Sequence, residues 1–115
     1  VILERVYSVN EAASKRNVNT LSRNGLVIQK KEHLVFIDDQ LVNLEPKQFQ
    51  ILWLLMRNEN LVFTREQLLN IIWGFNYFGS MRLVDSQINK LRKRLNQKSA
   101  MISTVSGIGY KFCSE

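Results

Sequence analysis

One stretch, VDSQINKLRKRL at residues 84–95, decides the architecture that we expect of this 115-residue chain. Its apolar residues are Val84, Ile88, Leu91 and Leu95, spaced four, three and four apart. That spacing places them in a single narrow stripe along an α-helix, while the other positions face water or a partner. The sequence therefore predicts a helix over residues 82–97 that packs one stripe against a core and leaves most of its surface available.

The same segment holds most of the charge of the chain, whose 16 Lys and Arg against 10 Asp and Glu give a net charge of +6. Six cations lie between residues 82 and 98 and only Asp85 opposes them, so the segment carries +5: Arg82, Lys90, Arg92, Lys93, Arg94 and Lys98. A solvated helix usually mixes signs in i, i+4 pairs, whereas like charges on one helix repel each other. The pattern favours nucleic acid as a partner over a merely solvated face.

The two halves of the predicted helix differ in chemistry. The first half carries short polar side chains, which are Asp85, Ser86, Gln87 and Asn89. In a major groove, Gln and Asn pair with adenine and Asp accepts from the cytosine amine, whereas Lys and Arg bind phosphates. This division predicts base reading by the first half and backbone binding by the second. A second interpretation of Asp85 is compensation of the helix dipole, and both interpretations can hold together.

The rest of the chain predicts short strands before this helix and a hairpin after it. Apolar runs at residues 26–28, 34–37 and 41–42, with residues 20–22 as an additional first strand before Asn24-Gly25, indicate a small antiparallel sheet of three or four strands. Pro46 suits the first turn of one helix, and Thr64 with Gln67 has capping-box spacing at the start of another. Residues 102–105 and 110–113 flank Ser106-Gly107-Ile108-Gly109, a hairpin in which we interpret both glycines as turn residues.

Composition excludes several classes of function. A lone cysteine, Cys113, and a lone histidine, His33, permit neither an internal disulfide nor a multi-residue Cys/His metal site, and they fit a reducing, cytoplasmic setting. No apolar run approaches the roughly 18 residues that span a bilayer, so we expect no membrane partner. No catalytic triad, paired carboxylates or phosphate-binding loop stands out, so we expect neither an enzyme nor a cofactor.

Domain organisation follows from the same pass along the chain. We interpret residues 1–19 as the end of a preceding helix followed by a polar linker, and residues 20–115 as the domain itself. Val1 in place of an initiating Met suggests a fragment of a longer protein.

Five segments, in this order and spacing, resemble one protein family: LEPKQF at residues 44–49, TREQLL at 64–69, WG at 73–74, VDSQINKLRKRL at 84–95 and TVSGIGYKF at 104–112. Over residues 20–112 the chain is similar to the winged helix-turn-helix effector domains of OmpR/PhoB-type bacterial two-component response regulators. LERV at residues 3–6 also resembles the end of the last helix of a receiver domain. The resemblance implies an α+β fold with an N-terminal four-stranded antiparallel sheet, three helices and a C-terminal β-hairpin wing at residues 101–113.

The resemblance also implies sequence-specific binding of double-stranded DNA and regulation of transcription, with the third helix in the major groove. Carried over residue by residue, the base contacts fall on Asp85, Ser86, Gln87 and Asn89. The backbone contacts fall on Arg82, Lys90, Arg92, Lys93, Thr104 and Lys111. The loop before the third helix implies a contact with RNA polymerase through Phe75, Asn76, Tyr77 and Phe78. Members of the family commonly bind tandem half-sites as homodimers.

Several positions depart from the pattern of the family. Ser106 stands where Arg often precedes the first wing glycine, so a minor-groove arginine contact is lost. Asn89 stands where Arg is common, which alters the bases preferred. Glu45 replaces the usual Thr or Ser before the first helix and weakens that cap, and Leu61 replaces a Gly or Pro.

Two other functions stay open at this point. Ser106 and the aromatic loop also fit a protein-interaction module, a winged helix that has lost DNA binding. A binder of RNA or single strands would need aromatics exposed among the basic residues of the third helix, which has none. We interpret Trp53 and Trp73, at helical spacing among Leu and Ile, as core residues rather than stacking platforms. The loop aromatics can pack beneath the loop or form an exposed patch.

Overall fold

The computed structural model describes residues 19–75, 77 and 79–114. The interpretation of residues 1–19 as a receiver helix and linker lies, except for Asn19, outside the described residues. Asn76 and Phe78 of the proposed polymerase-contact loop lie outside them as well.

An antiparallel sheet of four strands forms the N-terminal part. The strands are β1 (Thr20–Arg23), β2 (Leu26–Gln29), β3 (Leu34–Ile37) and β4 (Gln40–Val42), in the spatial order β1-β2-β3-β4. Asn24 and Gly25 both have positive φ, as the tight turn between β1 and β2 requires. Burial alternates along β2 and β3, so one face of the sheet packs on the core. The predicted sheet is confirmed, with the fourth strand included.

The first helix, α1 (Pro46–Arg57), begins at the proline that marked it in the sequence. The expected weakness of its cap is offset by Gln48, whose Oε1 accepts from the backbone N–H of Glu45 at 3.1 Å. Gln48 is itself buried, so the hydrogen bond also satisfies a side chain enclosed in the core. Most apolar residues of α1 are buried in the core, among them Phe49, Leu52, Trp53, Leu55 and Met56.

The second helix, α2, is α-helical over Arg65–Leu68 and π-helical over Leu69–Trp73. Its predicted capping box is present, because Thr64 Oγ1 accepts from Gln67 N at 3.0 Å and Gln67 Oε1 accepts from Thr64 N at 2.8 Å. Trp73 packs half-buried against the core, as expected.

The third helix, α3 (Arg82–Leu95), ends two residues earlier than predicted. The α-helix ends there because Asn96 has a φ of 51°, outside the range of a right-handed α-helix. Residues Asn96–Met101 form a 3₁₀ segment instead. The predicted stripe is confirmed, because its four residues are completely buried: Val84, Ile88, Leu91 and Leu95.

A second sheet contains the C-terminal hairpin. Its strands are β5 (Phe63–Thr64), β6 (Ile102–Val105) and β7 (Gly109–Phe112), in the order β5-β7-β6. The hairpin confirms the predicted wing, although β7 begins one residue earlier than the sequence indicated. β5 has only two residues, which is too short for an alternating pattern to reveal, so the sequence missed it.

The two wing glycines have different roles, and the interpretation of both as turn residues was wrong. Gly107 has a φ of +74° and lies in the turn that Ile108 N closes on Val105 O at 2.9 Å. Gly109 lies in β7 instead, where a Cβ atom would come within 2.0 Å of the carbonyl oxygen of Phe63. Gly109 therefore allows the wing to approach β5, at the start of α2.

Candidate nucleic-acid interface

The outward face of α3 carries a continuous group of exposed polar and basic side chains. Opposite the completely buried stripe, the exposed residues are Arg82, Ser86, Asn89, Lys90, Lys93 and Arg94. Their spacing of three, four and seven residues places most of them on neighbouring turns of one helix face. This face combines short hydrogen-bonding groups near the start of α3 with cations towards its end, as the sequence predicted.

Asp85, by contrast, is engaged within the protein. Its Oδ1 accepts a hydrogen bond from Arg65 Nε at 2.7 Å and another from the Tyr110 hydroxyl at 2.5 Å. The three residues belong to α2, α3 and β7, so one carboxylate oxygen joins both helices of the helix-turn-helix to the wing. We name Arg65, Asp85 and Tyr110 the Asp85 cluster.

The protonation states of the Asp85 cluster follow from its contacts. Partial burial raises the pKa of Asp85, but the hydrogen bonds from Tyr110 and Arg65 outweigh that effect, so the pKa lies below its usual value. Burial, and then the hydrogen bond to Asp85, raises the pKa of Tyr110. At neutral pH the carboxylate is therefore charged and the phenol neutral, as the hydrogen bond between them requires.

Arg92 also lies against the wing. Its Nε and Nη2 donate to the carbonyl oxygen of Ile102 at 3.1 and 2.8 Å, and Nη2 donates to Thr104 Oγ1 at 2.7 Å. Two residues that the sequence assigned to the DNA backbone, Arg92 and Thr104, are thus bound to each other. The guanidinium of Arg92 also lies 5.5 Å from the ring centroid of Tyr110, within cation–π range.

The remaining predicted contact residues differ in accessibility. Gln87 is half-buried, and its Oε1 is enclosed with no hydrogen-bond partner among the described residues. Lys111 is half-buried on β7. At the tip of the wing Ser106 and Ile108 are exposed, and Ile108 is the large apolar residue at that point.

The two described aromatics of the loop between α2 and α3 are both exposed, although the ring of Tyr77 also lies against Gly79 of the same loop. Phe75 is 81% exposed and Tyr77 is 42% exposed. Ile71 and Met81, which precede and follow them, are about half exposed. We name these four exposed residues, Ile71, Phe75, Tyr77 and Met81, the loop patch.

Sequence reasoning missed Arg65 and Tyr110 as partners of Asp85. Both lie in segments that carried the family resemblance, TREQLL and TVSGIGYKF, so the signal for their importance was present. Nothing in the local pattern indicated that they contact Asp85, because 20 and 25 residues separate them from it.

The described part of the chain contains no helix long and apolar enough to cross a membrane. Within the same residues, no group of His, Cys, Asp and Glu is placed to hold a metal ion.

The chain combines a four-stranded sheet, a helix-turn-helix formed by α2 and α3, and a β-hairpin bonded to α3. Together these elements define a winged helix-turn-helix domain. Residues 39–112 match the family described as "Transcriptional regulatory protein, C terminal". The chain belongs to this family, the DNA-binding domains of OmpR/PhoB-type response regulators. Membership confirms the sequence-based prediction of a bacterial-type, DNA-binding transcription regulator rather than an enzyme.

Individual relatives agree with this assignment. The chain is 44% identical over 116 residues to transcriptional regulatory protein SrrA of Staphylococcus aureus, covering 96% of this chain and 48% of SrrA. It therefore spans about half the length of the curated relatives it matches. The structure is similar to the response regulator DrrB, an OmpR/PhoB homologue of Thermotoga maritima, with a TM-score of 0.80, 30% identity and coverage of 91% and 49%. It is also similar to the RstA DNA-binding domain of Klebsiella pneumoniae in complex with the RstA box, with a TM-score of 0.76, 31% identity and coverage of 85% and 100%.

Proposed function

We propose that this chain recognises a specific duplex by placing the exposed face of α3 in the major groove and the β6–β7 wing against the backbone. The observation that carries this proposal is the face itself, a helix whose opposite stripe is completely buried while Ser86, Asn89 and Lys93 are exposed in one row. The relative RstA, whose DNA-binding domain forms a complex with the RstA box, supports DNA binding by this fold.

Accessibility divides the roles among the predicted residues. Ser86 and Asn89 are the proposed base readers, because they are short, polar and exposed in the first half of α3. Gln87 joins them only after its side chain turns outward from its enclosed position. The proposed phosphate contacts come from the wing residues Lys111 and Thr104 and from four cations of α3: Arg82, Lys90, Arg92 and Lys93.

The test is fluorescence anisotropy with a duplex enriched from a random pool and a scrambled duplex, over a salt series. We expect the enriched duplex to bind about a thousandfold tighter. Asn89→Ala should relax the preference at one or two base pairs, whereas Lys93→Ala should weaken binding to all sequences and lower the salt slope by about one. Lys31→Ala removes the same charge from an exposed turn far along the chain and is the matched control. Equal binding of both duplexes would refute the proposal.

We also propose that the loop patch contacts RNA polymerase. Its support is that Phe75, Tyr77 and two further apolar residues in the same stretch of chain are all exposed, since exposed apolar groups mark interaction sites when they come together. Phe75→Ser should leave DNA affinity unchanged but reduce transcription in a reconstituted assay on a promoter that carries the preferred sequence. Leu61→Ser, at another exposed apolar residue, should change neither. Binding of polymerase by a chain that shows no DNA preference would instead favour the interaction module.

Three further elements of this function rest on the sequence and on the family resemblance. We propose that two copies bind tandem half-sites, which predicts two chains per duplex in sedimentation at saturation and one chain on a single half-site.

We propose that residues 1–19 join this domain to a preceding receiver domain, and that the protein acts in the cytoplasm. Cell fractionation of the natural full-length protein, which should be recovered with the cytoplasmic fraction, tests the last point.

A further inference from the structure

The wing is bonded to α3 at two separate points. At the first, the Tyr110 hydroxyl of β7 donates to Asp85 in the first turn of α3. At the second, Arg92 in the last turn of α3 donates to the Ile102 carbonyl and the Thr104 hydroxyl of β6. Asp85 and Arg92 are seven residues apart, which is about 10 Å along a helix. Two attachments at that separation constrain the angle between wing and helix as well as their distance.

Tyr110 contacts the residues of both attachments, Asp85 and Arg92. Its ring is buried, and it lies 5.6 Å from the guanidinium of Arg65 and 5.5 Å from that of Arg92. Arg65 in turn donates to the same Asp85 oxygen that accepts from Tyr110. Arg65, the first residue of α2, is thereby bonded to α3 and lies against β7. The Asp85 cluster therefore joins three elements that are far apart in the sequence.

The engagement of Asp85 also explains why one acid lies among the cations of α3. A carboxylate free at a DNA-binding surface would be repelled by phosphates, whereas two hydrogen bonds hold Oδ1 of Asp85 against Arg65 and Tyr110. Within the Asp85 cluster its charge is matched by Arg65. The structure therefore offers Asp85 a role that the sequence-based assignment to base contacts did not include.

We propose that Asp85 and Tyr110 are positioning residues that hold the wing at a fixed angle to α3, and that Asp85 reads no base. This inference rests on the proposed function, in which α3 and the wing contact the same duplex. When the wing is held at this angle, it contacts DNA in an intramolecular step once α3 has bound. When the attachment is broken, fixing the orientation of the wing costs entropy, and part of its contribution to the binding free energy is lost.

The experiment combines attachment variants with contact variants in the whole 115-residue chain. Tyr110→Phe removes one hydroxyl, and Asp85→Asn removes one charge while keeping the side-chain shape. Glu32→Gln, at an exposed turn residue, removes the same charge as Asp85→Asn and controls for the gain in net positive charge. Anisotropy with the preferred duplex and each of its single-base variants gives affinity and base preference, and thermal melting gives the folded fraction.

We expect Tyr110→Phe and Asp85→Asn each to weaken binding to the preferred duplex by about five- to tenfold at a temperature where both are folded. Tyr110→Phe removes the hydrogen bond that Asp85→Asn weakens by taking the charge from its acceptor, so the double variant should lose less affinity than the sum of the two single losses. The order of base preferences should stay unchanged. The loss caused by Lys111→Ala on the wing should shrink towards none in either variant, whereas the loss caused by Asn89→Ala should persist.

Three outcomes would overturn the inference. A change in preference at one base pair with Asp85→Asn but not with Tyr110→Phe would make Asp85 a base reader. Lower melting temperatures with unchanged affinity, and an unchanged effect of Lys111→Ala, would make the Asp85 cluster a stabilising contact only. Independent, additive effects of the two substitutions would separate their roles. The proposed function fails by a different result, which is the absence of sequence preference in the unsubstituted chain, and the inference would then fall with it.

Discussion

Replacing Gly109 with alanine tests whether the wing depends on its close approach to β5. The added Cβ would lie 2.0 Å from the carbonyl oxygen of Phe63 and 2.8 Å from the Cα of Thr64, and both are backbone atoms that no rotamer can move. A carbon–oxygen contact needs about 3.3 Å, so the strands must separate by about 1.3 Å. That separation disrupts the pairing of Phe63 with Tyr110 and of Thr64 with Gly109.

The expected free energy follows from these two effects. Overpacking a closely packed site destabilises by about 1–3 kcal/mol, and one or two lost backbone hydrogen bonds add about 1 kcal/mol each. Gly109→Ala should therefore lower the free energy of unfolding by about 2–5 kcal/mol. Gly107→Ala is the matched comparison: nothing lies within 4 Å of its Cβ, and only the positive φ opposes it, by about 1–2 kcal/mol.

Urea titration followed by tryptophan fluorescence measures both free energies, since Trp53 and Trp73 belong to or pack against the core. Gly109→Ala should also weaken DNA binding, because a smaller fraction of the chains is folded and because the displaced strand β7 carries Tyr110 of the Asp85 cluster. The reasoning is refuted if Gly107→Ala proves the more destabilising change. It is equally refuted if Gly109→Ala lowers stability by less than about 1 kcal/mol.

Three further predictions concern the charges and the core. The pKa values of Glu59 and Asp85 lie below their unfolded values, that of Glu59 because of hydrogen bonds from Ser114 and Arg23. Their contribution to stability is complete only above about pH 5 and is lost as the pH falls through the folded values. Unfolding free energies measured from pH 7 to pH 2 should therefore decline below about pH 5. Leu91→Ala, in the completely buried stripe, should lower the unfolding free energy by about 2–5 kcal/mol in urea titration, and a loss below about 1 kcal/mol would contradict its packing. Arg92→Ala should lower both the melting temperature and the DNA affinity because it removes the bonds to β6, whereas Lys93→Ala, which is exposed, should lower the affinity alone.

Local patterns were sufficient for most of the elements. Helical and strand periodicities depend on backbone geometry that repeats within a few residues, so the buried stripe of α3 and the alternation in β2 and β3 could be recognised without knowledge of the fold. Caps are equally local, and the box formed by Thr64 and Gln67 was predicted for that reason. The concentration of cations on α3 likewise depends only on composition, and it is sufficient by itself to indicate nucleic acid as the partner.

The amino-acid sequence by itself thus determined the elements, the core stripe, the basic helix and the class of partner. Only the tertiary structure decided that Asp85 is bonded to Arg65 and Tyr110, that Arg92 is bonded to β6, and that Gly109 faces β5. The physical reason is sequence separation. Contacts between side chains 10 to 25 residues or more apart depend on how whole elements pack, and neither periodicity nor composition encodes that packing. A charged residue such as Arg92 can therefore be assigned to DNA from the sequence, although in the fold it is bonded to a neighbouring strand.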